Sequence, residues 1–223
     1  MINWNIFQTL YGTKKLQGCT NEDISYIERM FGKLPAVLKD FYCTAARTEA
    51  FHQVQDLWIL PEHFQKWDWL RDSEYLILLD ENQGVCQAGI RRSDLEQLDP
   101  PVYVSMDREA WELCAPTTSE FLKAALSYEA AFACEFAPED FYFLTEEDFE
   151  LLQSRLEQQP YELHKWIGDI HISIYSNAPD NVAALMIVGE ETGERDIQML
   201  YGASTKEGYE KIVAALADVG EPG

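Results

Sequence analysis

Two stretches near the start of the chain place apolar residues with helical spacing. In "EDISYIERMFG" and "KLPAVLKDFYCTAA" these residues recur every three or four positions, which predicts two amphipathic helices. Asn21 stands where the first helix would be capped, and Gly32 stands where that helix would end. Pro35 stands at the first position of the second helix, where its fixed φ suits a helix start.

From residue 56 onward the helical spacing gives way to short apolar runs. The runs "DLWIL", "EYLILLD", "GVCQAGI" and "PVYVSM" are predicted to be strands of a meander. "PEHFQKWDWLRDS" is interpreted as a helical turn. Thr117 and Glu120 have capping-box spacing ahead of "FLKAALSYEAAF", which predicts a closing helix. Trp58, Trp67, Trp69 and Trp111 are interpreted as rings of the core or of a groove.

The pattern restarts after Pro138. A strand "FYFL" and a helix capped by Thr145 precede the strands "HISIYS", "VAALMIVG" and "DIQMLYG". Ser204 and Glu207 offer a capping box for a last helix. The chain is therefore predicted to be α+β, with a domain over 1–138 and a C-terminal α-β-β-β-α lobe over 139–223 that could share a sheet with it.

"LDENQGVCQAGI" places a polar cluster between two predicted strands. Asn82 and Gly84 both tolerate positive φ, and Asn82 can bond to its own backbone. The cluster is therefore predicted to be the turn of a hairpin that joins "YLILL" to "VCQAGI".

The formal charge is -22, from 39 acidic and 17 basic side chains. Such a balance argues against binding to nucleic acid or to anionic membranes, because both depend on Lys and Arg. It favours either solubility or a basic partner. Residues 139–223 are the more acidic part of the chain, so a basic partner would be attracted there most strongly.

The five cysteines are odd in number and contain no CxxC pair. This spacing indicates neither a disulfide framework nor a thiolate zinc site, and it suits a reducing compartment. "MINWNIFQTLYG" lacks the features of a signal peptide, and no run of 18 apolar residues is present. The expected location is cytoplasmic.

The sequence carries no GxSxG elbow and no HxxxH motif. His164, Asp169 and His171 lie close together in the sequence, but three such residues at a strand entry are a weak metal signal. Ordinary histidines are the preferred interpretation. No metal, no cofactor and no catalytic residue is therefore predicted.

Adjacent carboxylates could still serve in acid–base catalysis if folding placed two of them across a cleft. Asp80 with Glu81, and Glu146 with Glu147, are such pairs, but 39 carboxylates produce many pairs by chance. Negative charge in the first turn of a helix explains the second pair more simply.

Five segments in order resemble the SUKH superfamily of Smi/Knr-like and bacterial immunity proteins. They are "LPAVLKDFYCTA", "LWILPEHF", "YLILLDENQGVCQAGI", "DPPVYVSMD" with Trp111, and "TSEFLKAAL", and they span Leu34 to Leu126. The resemblance implies an α+β domain with a SUKH-like sheet flanked by helices. It further implies a non-enzymatic immunity protein that binds and neutralises a cognate toxin in the cytoplasm, with "ENQG" and "DPP" as structural signatures.

The favoured hypothesis is therefore an immunity protein whose acidic surface covers a basic toxin, plausibly a nuclease. Seven residues are predicted to bind the partner: Glu146, Glu147, Asp148, Glu150, Glu190, Glu191 and Glu194. The alternatives are a regulatory or scaffolding module of the same fold and, third, a hydrolase that uses a carboxylate pair.

Overall fold

The computed structural model describes residues 1–54, 56–189 and 195–223. The α-helices in this part of the chain are α1 (Trp4–Leu10), α2 (Asn21–Phe31), α3 (Ala36–Thr44), α4 (Pro61–Lys66), α5 (Asp68–Asp72), α6 (Thr118–Ala133), α7 (Glu146–Arg155) and α8 (Lys206–Leu216). The strands are β1 (Leu57–Trp58), β2 (Tyr75–Asp80), β3 (Gln87–Arg91), β4 (Val102–Ser105), β5 (Glu112–Ala115), β6 (Tyr142–Leu144), β7 (Glu157–Trp166), β8 (Ile170–Ser176), β9 (Asn181–Val188), β10 (Asp196–Ala203) and β11 (Glu221–Pro222).

The strands form two antiparallel sheets. The first has the order β1-β2-β3-β4-β5, which is a meander, and the second has the order β11-β6-β10-β9-β8-β7. The protein is therefore α+β, as predicted. The first sheet lies within the predicted domain of residues 1–138, and the second sheet lies within residues 139–223.

Helix α6 lies between the two sheets and is buried on both sides. The ring of Phe121 packs against Trp58 of the first sheet with centroids 6.4 Å apart, while Tyr128 contacts Met186 of the second sheet. One hydrophobic core is continuous through this helix, and a smaller core lies between the second sheet and α7 and α8. The two halves of the chain thus share apolar packing rather than a polar seam.

The predicted N-caps are partly correct. Thr145 caps α7, and its hydroxyl accepts the N–H of Asp148 at 3.2 Å. Asn21, however, is already helical, and Thr20 provides the cap of α2. The adjacent threonine has the extended backbone that aims a hydroxyl at the first turn.

A similar shift of one residue occurs at α8. Thr205 caps the helix by accepting the N–H of Gly208 at 3.0 Å. The predicted cap, Ser204, instead donates its hydroxyl hydrogen bond to the carbonyl of Thr9 at 2.7 Å. This bond ties the second sheet to α1.

Four of these helices and strands were absent from the sequence prediction: α1, β5, β7 and β11. Strand β7 adds a fourth strand between α7 and α8, so the predicted α-β-β-β-α order is incomplete. It contains Pro160, and its positions vary irregularly between exposed and half-buried, with Leu163 and Trp166 buried. As the edge strand of the sheet it tolerates both features, because among the described strands it pairs on one side only, with β8.

No helix in the described part of the chain has the length and the apolar character that a bilayer crossing requires.

Candidate binding groove on the first sheet

The first sheet has one face packed in the core and an open face that borders a groove, although Tyr75 and Ile77 on the open face are themselves buried. Strand alternation sends Leu76 and Ile90 into the core. Their neighbours Tyr75 and Arg91, which are paired across β2 and β3, point to the opposite face. Tyr103 of β4 lies on this open face as well, opposite Gly89. The open face is therefore aromatic and cationic in a strongly acidic protein.

A groove of about 960 Å³ runs across this open face, between the sheet, helix α5 and the loop after β4. Its lining residues are Trp69, Asp72, Ser73, Glu74, Tyr75, Ile77, Arg91, Arg108, Glu109 and Trp111. The groove is large enough to hold several side chains of a partner or a small molecule.

Stacked rings form one wall of the groove. Trp111 lies flat on Tyr75, with centroids 3.8 Å apart and planes 11° apart. Arg91 donates from Nε and Nη2 to the hydroxyl of Tyr75 at 3.1 and 3.0 Å, and its guanidinium lies 5.0 Å from the ring of Tyr103. Each ring and each cation is held by a neighbour, so the wall is preorganised.

Arg108 lines the groove from an unusual backbone position. Its φ is 67°, and its N–H donates to the hydroxyl of Ser105 at 2.8 Å. Asp107 fixes the same turn, since its carboxylate accepts the N–H groups of Glu109 and Ala110, both at 2.8 Å. These two bonds also lower the pKa of Asp107. A left-handed arginine persists only where its surroundings hold it.

The side chain of Arg108 is also held at two points. Its guanidinium lies 4.0 Å from the ring of Trp69, and its Nε donates to Oε1 of Gln87 at 3.0 Å. Gln87 in turn donates to Asp80 at 2.9 Å. A chain of contacts therefore runs from the end of β2 through β3 to the groove.

This chain explains part of the polar cluster "DENQG". Strands β2 and β3 do pair, and the N–H of Gly84, at φ 72°, donates to the carbonyl of Glu81 at 2.7 Å, so the predicted hairpin is confirmed. Glu81 is buried and accepts N–H groups from Gln83 and Val85. The cluster shapes a turn, while Asp80 helps to orient Arg108.

The carboxylate pairs singled out from the sequence do not face each other across the groove. Asp80 and Glu81 serve the hairpin, and Glu146 pairs with Arg195 through both oxygens. Glu147 is exposed. None of these four lines the groove.

The structure instead brings together a pair that the sequence did not suggest. Asp56 and Glu129 lie in the interior, where the N–H of Asp56 donates to Oε2 of Glu129 at 3.3 Å. The N–H of Asn82 donates to Asp56 at 3.3 Å. Burial raises the pKa of Asp56 to about 6. This pair does not line the groove.

The predicted partner-binding carboxylates lie on the other half of the protein. Asp148 is engaged in the capping box of α7, and Glu146 is bound to Arg195, which leaves Glu147 and Glu150 exposed on that helix. Phe143 on β6 and Phe141 just before that strand are exposed nearby. The remaining predicted residues, Glu190, Glu191 and Glu194, lie outside the described residues.

The sequence predicts the groove only in part. Trp69 and Trp111 were expected to be rings of a core or of a groove, and they do line the groove. Arg91 and Arg108 were not predicted to be site residues. Their only sequence signal is that they are basic residues beside predicted strands of an acidic chain.

Comparison with known proteins gives no relative of this chain. No family model, no curated protein and no solved structure matches it.

Proposed function

We propose that the protein is a SUKH-like immunity protein that binds and neutralises a basic toxin, such as a nuclease, and that the groove on the first sheet anchors the partner. The observation that carries this proposal is the composition of the groove. Trp, Tyr and Arg are the residues most enriched at binding hot spots, and here five of them share one preorganised concave surface.

The rim of the groove suits a basic partner. Asp72, Glu74 and Glu109 surround the rings, and they can pair with Lys or Arg side chains that approach the groove. Arg91 and Arg108 are already engaged by Tyr75 and Gln87, so they offer planar surfaces and their remaining donors. A flat ring or a carboxylate of the partner fits such an arrangement.

The acidic surface elsewhere has a separate role in this proposal. Exposed charges such as Glu147 and Glu150 speed the encounter with a basic partner over long range, but they add little affinity once the complex has formed. The net charge of -22 supports steering of this kind. In this proposal the groove provides the direct contacts with the partner, and the acidic surface elsewhere provides the long-range attraction.

The test is co-expression with the C-terminal domain encoded by the adjacent toxin gene. We expect the wild-type chain to restore growth and to purify as a complex with that domain. A Trp111→Ala/Arg108→Ala variant should lose both properties while its circular dichroism spectrum stays unchanged. Protection by this variant equal to wild type would remove the groove from the interface.

A second experiment tests the steering surface. Glu147→Lys/Glu150→Lys should slow association a few-fold at low salt and leave dissociation unchanged, because exposed charges act over about one Debye length of ~10 Å at 0.1 M salt. Stopped-flow kinetics at two salt concentrations measures this effect. An association rate that changes neither with salt concentration nor with the two substitutions would contradict electrostatic steering.

The scaffolding alternative predicts a different outcome. A module of the same fold that binds a housekeeping protein would give no rescue with the adjacent toxin domain, yet its partner binding would still depend on Trp111. The hydrolase alternative has less support, since the paired acids Asp56 and Glu129 are interior and lie away from the groove.

A further inference from the structure

We propose that Glu162, His164 and His171 form a binding site for a divalent transition-metal ion such as Zn²⁺. These residues lie on β7 and β8 of the second sheet, away from the groove. One ligand atom from each of them lies within 4.8 Å of those of the other two. Two imidazoles and one carboxylate are a donor set that Zn²⁺ and its neighbours in the first row accept.

Strand register brings the three residues together. Glu162 pairs with Ser173 and Leu163 pairs with Ile172, so the next residues along each strand, His164 and His171, come side by side. Their ring centroids are 4.6 Å apart. Alternation places Glu162 and His164 on one face of β7, while Leu163 between them enters the core. The site is therefore built on paired strands rather than on a loop.

The distances suit a single ion between the three groups. Nε2 of His164 lies 3.1 Å from one oxygen of Glu162, and Nε2 of His171 lies 3.0 Å from the other. Metal bonds of about 2.0–2.2 Å place neighbouring ligand atoms about 3 Å apart. An ion can therefore enter with small side-chain movements, replacing the contacts to Glu162 with bonds to Nε2 and carboxylate oxygen.

The surroundings leave coordination positions open. The side chains of His164 and Glu162 are 42% and 36% exposed, whereas that of His171 is 17% exposed. A cavity of about 390 Å³ adjoins the site and is lined by Glu162, His164 and, from α6, Glu120. Three protein ligands and an accessible cavity describe a site that holds water or a ligand from another molecule in its remaining positions.

The hydroxyl of Ser173 lies 3.4 Å from Nε2 of His171 and is buried under the site. Because Nε2 is the nitrogen that would bind the ion, this hydroxyl gives up its contact when a metal enters, as the carboxylate of Glu162 does. In the sequence, His164 and His171 lie close to Asp169, but Asp169 lies in the exposed turn between β7 and β8. Glu162 takes its place because it is two residues from His164 on the same strand face.

The test is Zn²⁺ titration of the purified, tag-free, chelator-treated full chain, by calorimetry and by competition with a chromophoric chelator. We expect one equivalent to bind and the melting temperature to rise with zinc concentration. Glu162→Gln, His164→Gln and His171→Gln should each weaken binding at least as much as the ~10–100-fold loss typical of a missing outer-shell partner. Glu157→Gln, on the same strand, and His52→Gln should bind as wild type.

Cobalt(II) spectra separate this site from adventitious binding at a thiol. Cys43 is exposed and free, so a thiolate charge-transfer band that disappears in Cys43→Ser would assign the metal to that cysteine and overturn the proposal. Histidine NMR of the wild type tests the site without any substitution, so that a variant that fails to fold does not leave the proposal untested. Zinc should shift two imidazoles and leave the other two unchanged. Binding of less than one equivalent, or undiminished binding by Glu162→Gln, would also refute the site.

Discussion

The two sheets differ in which faces they leave open. The second sheet is covered by α6 on one face and by α7 and α8 on the other, so all the residues of β9 before Val188 are buried. Strand β2 of the first sheet is buried as completely before Asp80, but the face of that sheet that carries Tyr75 and Arg91 borders the groove with Trp111 and Arg108. The candidate groove thus lies in the less acidic half of the chain, whereas the candidate metal site and the larger excess of acidic residues lie in the other half.

The largest expected effect tests α6, the helix against which both sheets pack. Phe121 of α6 is fully buried against Trp58. Replacing it with Ala should lower the free energy of unfolding by about 3–5 kcal/mol, because a cavity is left in a packed core. Urea unfolding measures the loss, and Lys206→Ala on the exposed face of α8 is the control. A loss near that of the control would mean that α6 does not hold the sheets together.

The next prediction compares interior charge with surface charge. The pKa of Asp56 is about 6 in the folded protein, above its unfolded value, so the native state holds an extra proton between about pH 4 and 6. This group therefore costs stability progressively as pH rises through that window, by about 2–3 kcal/mol at most.

Asp56→Asn should remove this cost while its amide oxygen still accepts the N–H of Asn82. We expect the variant to be the more stable protein at pH 7, with the difference shrinking toward pH 4. Urea unfolding from pH 4 to 8, with exposed Glu147→Gln as the control, measures it. A difference that does not change with pH would contradict the assignment to Asp56.

A third prediction addresses the groove directly. Trp111→Ala should weaken partner binding by about 2 kcal/mol or more, which is roughly 30-fold, as expected for a buried hot-spot ring. Trp67 is the matched control, since it stacks on His63 outside the groove at a centroid distance of 4.9 Å. Calorimetry with the toxin domain measures both variants. Equal losses would show that the groove has no special role.

The smallest expected effect concerns the backbone that presents the guanidinium. Arg108 has φ 67°, a conformation that costs a residue with Cβ about 1 kcal/mol relative to glycine. Arg108→Gly should therefore be more stable than Arg108→Ala by about that amount, while both variants lose partner binding equally. Thermal melting with binding assays checks this. Equal stabilities would indicate that the turn relaxes.

Local sequence features predicted the elements that depend on neighbouring residues. Helices α2, α3 and α6 carry their own apolar spacing, and the hairpin at residues 81–84 carries its own turn chemistry. Strand β7 was missed because its polar, proline-containing sequence becomes a strand only through pairing with β8. Long-range partners decide such a strand more than its own residues do.

The same reasoning applies to the two sites. Trp69, Arg91 and Arg108 come from three separate segments, and they meet because α5 and the loop after β4 lie against the open face of the paired strands β2, β3 and β4. Glu162 and His171 are likewise brought together by a register that includes irregular steps. A single sequence shows which residue types are present, but strand pairing determines which of them meet.

The position of α6 has a consequence for how the molecule responds to stress. Because α6 packs against both sheets, separating it from either sheet would expose apolar surface to water. Unfolding of one half alone is therefore unfavourable. Heat or denaturant should therefore unfold both halves of the protein in one cooperative step. A protease that cuts between the halves would therefore produce two fragments that expose apolar surface and aggregate, rather than two folded domains.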